Sequence, residues 1–274
     1  MSEASFRRLP PVEPLVKDGD FVEAVARGLA ILESFSTARQ RLNATQAAER
    51  AGLTRAAARR HLLTLAALGY LETDGSAYWL APKVLRFSGS YLASARLPRL
   101  VQSTMDRLSA SSGAAYSTVV RDQHDVVIIA RSGPLSRRGP MLPHGLHLGA
   151  RLPMFATSTG RMLLAGLPKE RRLAWLTELS RQPGGMPKLT HRTTTDPSML
   201  AGLIEEAGTQ GYCLVCEEHE LGVSAMAVPL IDMRGHTHAA LNVVLSATGA
   251  RAQSLCQQHL PLMQQAAQEL RALL

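Results

Sequence analysis

The chain has 274 residues, 46% of them hydrophobic and 19% charged, with a formal net charge of +8. That length suits two modest domains, and the apolar content is enough for ordinary cores, which excludes a disordered chain. No apolar run is long enough to cross a bilayer, and the N-terminus lacks the charged-then-apolar layout of a secretory leader. Three cysteines make a poor disulfide framework, so the expected compartment is the cytoplasm. The basic balance favours a polyanionic partner, although a solvated basic face or an anionic ligand fits it as well.

Residues 1–20 hold Pro10, Pro11 and Pro14 among scattered charges, without helical or strand period, and read as a flexible arm. From Phe21 the pattern turns helical: Val22, Val25, Leu29, Leu32 and Phe35 recur at steps of three and four. A second short helix fits Thr45 to Ala51, with Asn43 or Thr45 as its cap. Gly52-Leu53-Thr54 is a tight turn, and Thr54 caps a third helix that Gly69 stops. Tyr70-Leu71-Glu72 and Tyr78-Trp79-Leu80 read as strands joined through Asp74-Gly75. Pro82 opens another helix through Val84, Leu85, Phe87 and Tyr91. This order describes a winged helix-turn-helix over 21–81 and a linker helix over 82–96.

From 97 to 274 helices and strands mix without a strict βαβ repeat. Helices are expected at Leu97 to Ser111, Ser158 to Leu167, Lys169 to Glu178, from Asp196-Pro197 toward Thr209, and at Leu255 to Leu274. Strands are expected at Tyr116 to Val120, Val126 to Ala130, Gly211 to Cys216, Gly222 to Ile231 and His238 to Ser246. Ser136 to Gly145 and Gln182 to Lys188 read as loops. The expected class is α+β, in two domains, with an antiparallel sheet in the second.

No acidic residue lies between Ala51 and Leu71, whereas Arg55, Arg59 and Arg60 all fall in the third helix. Arg55 and Arg59 share a face, Ala58, Leu62 and Leu65 can face the core, and the small Ala56 and Ala57 permit close approach to a major groove. Arginine reads guanine bidentately or holds phosphate. The candidate contacts with double-stranded DNA are Thr45, Thr54, Arg55, Ala56, Arg59 and Arg60, with Lys83 and the wing at Gly75-Ser76 against the backbone. The bland alternative is a basic helix on an ordinary surface; the turn before it and the hairpin after it argue against that.

The same residues resemble a known family. FVEAVARGLAILESF from Phe21 resembles the first helix of the IclR family of bacterial regulators, and LTRAAARRHLLTLAALGYL from Leu53 its recognition helix and the start of its wing. LAPKVLRFSGSYLAS from Leu80 resembles its linker. GARLPMFATSTGRMLLA from Gly149 and GYCLVCEEHELGVSAMAVPLID from Gly211 resemble the hallmark segments of its effector domain. The first two segments are most similar to the branch governing aromatic-acid catabolism. The resemblance implies a GAF-like effector domain over 97–274. It points to Ala156, Thr157, Ser158, Thr159, Gly160, Glu217, Ser224 and Asn242 as effector-binding. Arg151 could pair bidentately with a carboxylate. The implied partners are an operator, a small organic acid on the aromatic side and further copies of the chain; no membrane and no cofactor are implied. Each residue has a plainer reading: Thr157, Ser158 or Thr159 as helix caps, Arg151 as a surface charge, and Glu217, Glu218 and Glu220 as a solvated strand end. Members that bind small keto acids carry serine where Asn242 falls, which leaves the ligand class open.

Cys213 and Cys216 form a CxxC, but residues three apart on a strand face opposite ways, so a shared metal is not expected. Nine histidines show no ligand spacing, and no nucleophile elbow or phosphate loop is present. His236 and His238 read as turn decoration, and Met154, Met162 and Met226 as core. No catalytic residue is assigned. The alternative function is a helix-turn-helix protein whose GAF-like domain is catalytic rather than sensory.

Overall fold

The structure is a computed structural model and describes residues 20–36, 38–133, 146–182 and 184–274. The expected arm over 1–20 and the loop over 136–145 therefore fall almost wholly outside the described residues. The chain divides into two compact units, Met1–Tyr91 and Leu92–Leu274.

In the first unit α1 (Glu23–Glu33), α2 (Ala44–Ala51) and α3 (Arg55–Ala67) precede a hairpin of β1 (Leu71–Thr73) and β2 (Tyr78–Leu80). Asn43, not Thr45, caps α2: its Oδ1 accepts from the Gln46 N–H while Gln46 Oε1 accepts from the Asn43 N–H, both at 2.9 Å. Gly52 takes the left-handed conformation (φ 67°) that the turn into α3 requires. The core gathers Ile31, Phe35, Leu42, Ala47, Ala58, Leu62, Leu71 and Tyr78. Within α1 the buried residue is Ile31, whereas Val22, Val25 and Leu29 of the periodic face are more than half exposed. The periodicity is real, yet most of that stripe lies outside the unit's own core. Leu42 adds a short third rung to the hairpin by exchanging backbone hydrogen bonds with Tyr78 at 3.0 and 2.9 Å. A 3₁₀ turn at Pro82–Val84 leads into α4 (Leu85–Ser94).

The second unit is built on one antiparallel sheet of six strands, β3 (Ala115–Asp122), β4 (Asp125–Ser132), β5 (Arg151–Pro153), β6 (Cys213–Cys216), β7 (Ser224–Ile231) and β8 (Thr237–Leu245), in the order β5-β4-β3-β8-β7-β6. One face carries α6 (Ser158–Ala165), α7 (Lys169–Arg181) and α8 (Pro197–Gln210), which pack Met162, Leu164, Trp175, Leu179, Leu200 and Ile204 against Val119, Val126, Ile128, Ala227 and Ala240. The other carries α5 (Arg96–Ser112) and α9 (Gly249–Leu270), which pack Val101, Met105, Leu108, Met263 and Ala266 against Tyr116, Ala130, Val228, Leu241 and Val243. Covering both faces explains why β3 and β8 are buried at nearly every position rather than at alternate ones, with Ser117, Thr118 and Asn242 among the buried residues. Burial of each large apolar side chain contributes roughly 1.5–3 kcal/mol.

The pairing of β3 with β4 is interrupted between Thr118 and Val119, where Ile129 is the extra residue. The bulge shifts the alternation of β4. Val126 and Ile128 face the α6 side, Ala130 faces the α5 side, and Arg131, directly opposite Ser117, returns to the α6 side.

Candidate functional site

Two surfaces carry chemistry, one in each unit. In the first, Thr54 caps α3 through its Oγ1, which accepts from the Ala57 N–H at 3.2 Å. Ala58 and Leu62 anchor the helix in the core, which turns Arg55, Ala56, Arg59 and Arg60 outward. Thr45 is exposed on α2. None of the three arginines forms an ion pair among the described residues, so their charge is available at the surface. The wing is held by Asp74, whose carboxylate accepts from the Ser76 and Ala77 N–H groups at 2.9 and 2.8 Å; these bonds hold its pKa down at about 2. Arg41 lies 4.0 Å from the centre of the Trp79 ring and 3.4 Å from Asp74. Lys83 is engaged within the protein: its Nζ donates to the Leu68 carbonyl at 2.7 Å, at the end of α3, and sits 4.7 Å over the Tyr70 ring.

In the second unit the hallmark segment runs through β5, a 3₁₀ turn (Met154–Ala156) and the start of α6. Arg151 lies on β5, its guanidinium held by Asp122 and Asp125 at the β3–β4 turn. Ala156 is fully buried in the 3₁₀ turn. Thr157 is the helix cap: its Oγ1 accepts from the Gly160 N–H at 3.2 Å and donates to the Pro153 carbonyl at 3.1 Å. Gly160 permits the close crossing of α6 over that turn, since a Cβ there would stand 2.2 Å from the Met154 carbonyl oxygen. Thr159 is buried. Ser158 differs from these neighbours: its Oγ is buried and has no hydrogen-bond partner among the described residues.

On the strand side Ser224 donates to the Ala247 carbonyl at 2.7 Å. Glu217 closes the β6–β7 turn, at φ 59°, accepting from the Gly222 N–H at 3.0 Å and lying 3.2 Å from Arg192. Asn242 Oδ1 accepts from Ser117 Oγ across the β3–β8 pair. The fold thus places Ser117 and Asn242 on the face packed by α6.

Three residues outside the expected set belong to this description. Glu218, whose plainer reading is a solvated strand end, is buried and lies 2.7 Å from the buried Arg161 guanidinium. It also accepts from the Thr194 N–H at 2.8 Å, while Arg161 donates through Nε to the Phe155 carbonyl at 3.1 Å. A charge pair this far from water persists because each partner compensates the other. Nothing in the sequence separated Glu218 from Glu217 and Glu220. The third is Arg131, whose Nη1 donates to the Leu146 carbonyl and whose Nη2 is buried without a partner among the described residues. Its one sequence signal is a lone charge at the end of the apolar run Val126 to Ala130.

A cleft of about 290 Å³ opens elsewhere, at the outer edge of the sheet, among Arg161, Leu203, Gln210, Cys213, Cys256 and Leu260; none of the expected effector residues lines it. Burial pushes the Cys213 thiol up to about 12 and the Cys256 thiol up to about 11, so neither supplies a thiolate near neutral pH. Cys213 packs on the α6 side of β6, three residues from Cys216. No helix among the described residues is long and apolar enough to cross a membrane.

Residues 24–75 match the IclR helix-turn-helix domain and residues 89–272 the family described as bacterial transcriptional regulator IclR C-terminal. The chain is 45% identical over 260 residues to a Pca operon regulatory protein of Acinetobacter baylyi, covering 95% of this chain and 92% of that one. It is also 45% identical, over 259 residues and 94% of each chain, to the p-hydroxybenzoate hydroxylase transcriptional activator of the same organism. Among solved structures, a double mutant of the PobR inducer-binding domain from Acinetobacter, complexed with 3-hydroxybenzoic acid, superposes with a TM-score of 0.58 at 39% identity, covering 65% of this chain and 98% of that one. A helix-turn-helix unit with a free arginine face and an α+β effector unit of this kinship make the chain a member of the IclR family of transcription regulators, of the Pca and Pob type that governs aromatic-acid catabolism.

Proposed function

We propose that the protein is a cytoplasmic regulator that binds its operator as a homo-oligomer and responds to a hydroxybenzoate-like acid. The observation that carries this reading is the 45% identity, over nearly the whole chain, to two regulators of aromatic-acid catabolism. Residues 21–81 bind DNA, 82–96 link, and 97–274 sense. Arg55, Arg59 and Arg60 approach the duplex with Thr45, Thr54 and Ala56, and Lys83 adds charge from behind α3. The effector sits against the start of α6, where the unpartnered Ser158 hydroxyl awaits a polar group.

The oligomer reading draws on apolar surface. Phe21, Val22, Val25 and Leu29 of the α1 region, and Leu85 and Phe87 of α4, are all more than half exposed. Exposed apolar side chains in such number favour a protein contact. Catalysis is not part of the reading: the buried thiols stay protonated, and Ser158 makes no hydrogen bond to His219 or any other described base.

The test is a DNA-binding titration of the full chain on the promoter of its neighbouring genes, with and without 4-hydroxybenzoate and protocatechuate. Specific binding altered by one acid is the expected result. Specific binding indifferent to both removes the aromatic-acid assignment, and absence of specific binding at any salt overturns the operator reading.

A further inference from the structure

Arg131, Ser117, Asn242 and Ala227 lie directly opposite one another on β4, β3, β8 and β7, forming one row across the sheet. Residues opposed in this way share a face. The face is the one covered by α6, as shown by Val119, Ala227 and Ala240 in its core and by the Arg131 bond to Leu146, which packs there too. Arg131 reaches it only because of the bulge at Ile129; regular alternation from Val126 and Ile128 would send it to the opposite side.

Arg131 has donors but no counter-charge. It forms no ion pair among the described residues, and the neighbouring segment 134–145 contains no acidic residue to supply one. Its Nη2 is buried without an acceptor. Burial alone lowers its pKa, with no neighbouring carboxylate to oppose that shift. Compare Arg161, which is more deeply buried and has Glu218. A half-buried guanidinium with one nitrogen out of water is stabilised when an anion comes to it.

The other end of the row is suited to a hydroxyl. Ser117 Oγ donates to Asn242 Oδ1, which leaves the Ser117 oxygen as acceptor and the Asn242 Nδ2 as donor, with no other described partner. Arg131 and Asn242 are two strand spacings apart, about 10 Å between backbones.

We infer that Arg131 binds the effector's carboxylate while the Ser117–Asn242 pair binds its ring hydroxyl. This rests on the reading of the domain as an aromatic-acid sensor. It makes the ligand a monocyclic hydroxy acid with its two polar groups on opposite sides of the ring, and it makes the β4 bulge the feature that creates the site.

The experiment is equilibrium binding by the full chain, for wild type, Arg131→Gln, Arg131→Lys and Asn242→Leu. The ligands are 4-hydroxybenzoate, 4-hydroxybenzamide, benzoate and a small aliphatic acid, pyruvate. Arg131→Gln is expected to weaken 4-hydroxybenzoate on the order of 100-fold while leaving the uncharged amide within a few-fold. Arg131→Lys keeps the charge but not the fork, and is expected to fall between. Asn242→Leu is expected to shrink the preference for 4-hydroxybenzoate over benzoate about 10-fold. Should Arg131→Gln not fold, the Lys variant decides by the same acid-to-amide ratio. An unchanged ratio, or equal loss of acid and amide, overturns the inference and leaves the sensor reading standing. Wild-type binding of pyruvate but no benzoate, lost in Arg131→Gln, upholds the carboxylate site and overturns the aromatic reading. Failure of the wild type to bind any of these acids overturns both.

Discussion

The two units handle charge in opposite ways. On α3 the arginines stand in water, where a cation needs no partner and its cost falls only when a polyanion displaces its solvent and counterions. In the effector unit Arg161 is withdrawn from water and Arg131 is half-buried, with its Nη2 wholly so. The first is neutralised by Glu218 on the adjoining β6–β7 turn; the second has no ion pair among the described residues. The contrast separates three settings of one residue type: a charge exposed in water, a buried charge that must stay paired, and a half-buried charge with no ion pair among the described residues. Exposure and partner together decide the use; residue identity does not.

The largest expected effect comes from breaking the structural pair. Glu218→Gln leaves Arg161 buried and uncompensated, and is expected to cost about 3–5 kcal/mol in urea unfolding of the effector unit. A loss under 1 kcal/mol would show that Arg161 finds water or another acceptor, and would erase the distinction drawn between it and the α3 arginines. Next is Arg59→Ala, expected to weaken operator binding by about 1–3 kcal/mol if its contact is a base edge, with stability changed by less than about 0.5 kcal/mol. A uniform loss across sequences, with the salt slope reduced by about 1, would instead assign Arg59 to phosphate.

A smaller, graded effect concerns pH. Burial holds the imidazoles of His219 and His259 below their ordinary value, and His259 shares a buried hydrogen bond of 2.9 Å with Tyr116. Both are neutral in either state above about pH 6.5. As pH falls below that, the unfolded chain takes up protons that the folded chain refuses, so stability declines by up to about 1.4 kcal/mol per unit per histidine until the folded pKa is reached. Thermal melts from pH 7.5 to 5.5 should therefore slope downward in wild type and less steeply in His259→Gln; parallel slopes would remove His259 from the account. The smallest effect is expected in the other unit, where Asn43→Ala deletes the cap of α2 at about 1 kcal/mol. Loss of operator affinity beyond that unfolding cost would mean the cap also positions α3.

The DNA-binding unit was nearly all legible in the sequence because its signals are local. Caps, left-handed glycines and a tight hairpin each act within a few residues, so Thr54, Gly69 and Asp74-Gly75 mark their own boundaries. The missed piece, the rung between Leu42 and Tyr78, joins residues far apart in the chain. In the effector unit the helices and longer strands were legible, but β5 is three residues long and gives no period to read. Thr157 and Ser158 look alike in sequence; only the packed structure shows that one caps α6 and the other is left with a free hydroxyl.

The sequence by itself determined the order of the elements other than β5, the two-domain α+β plan, the arginine-bearing third helix and the family. All of these follow from short-range periodicity, capping chemistry and motif order. The tertiary structure decided which charges are paired and which face each strand residue presents. Glu218 is buried because the fold brings Arg161 to it across 57 positions of chain, and Arg131 joins Ser117 and Asn242 because one extra residue in β4 reverses its alternation. Strand pairing and burial are properties of distant partners, and no local pattern in the chain carries them.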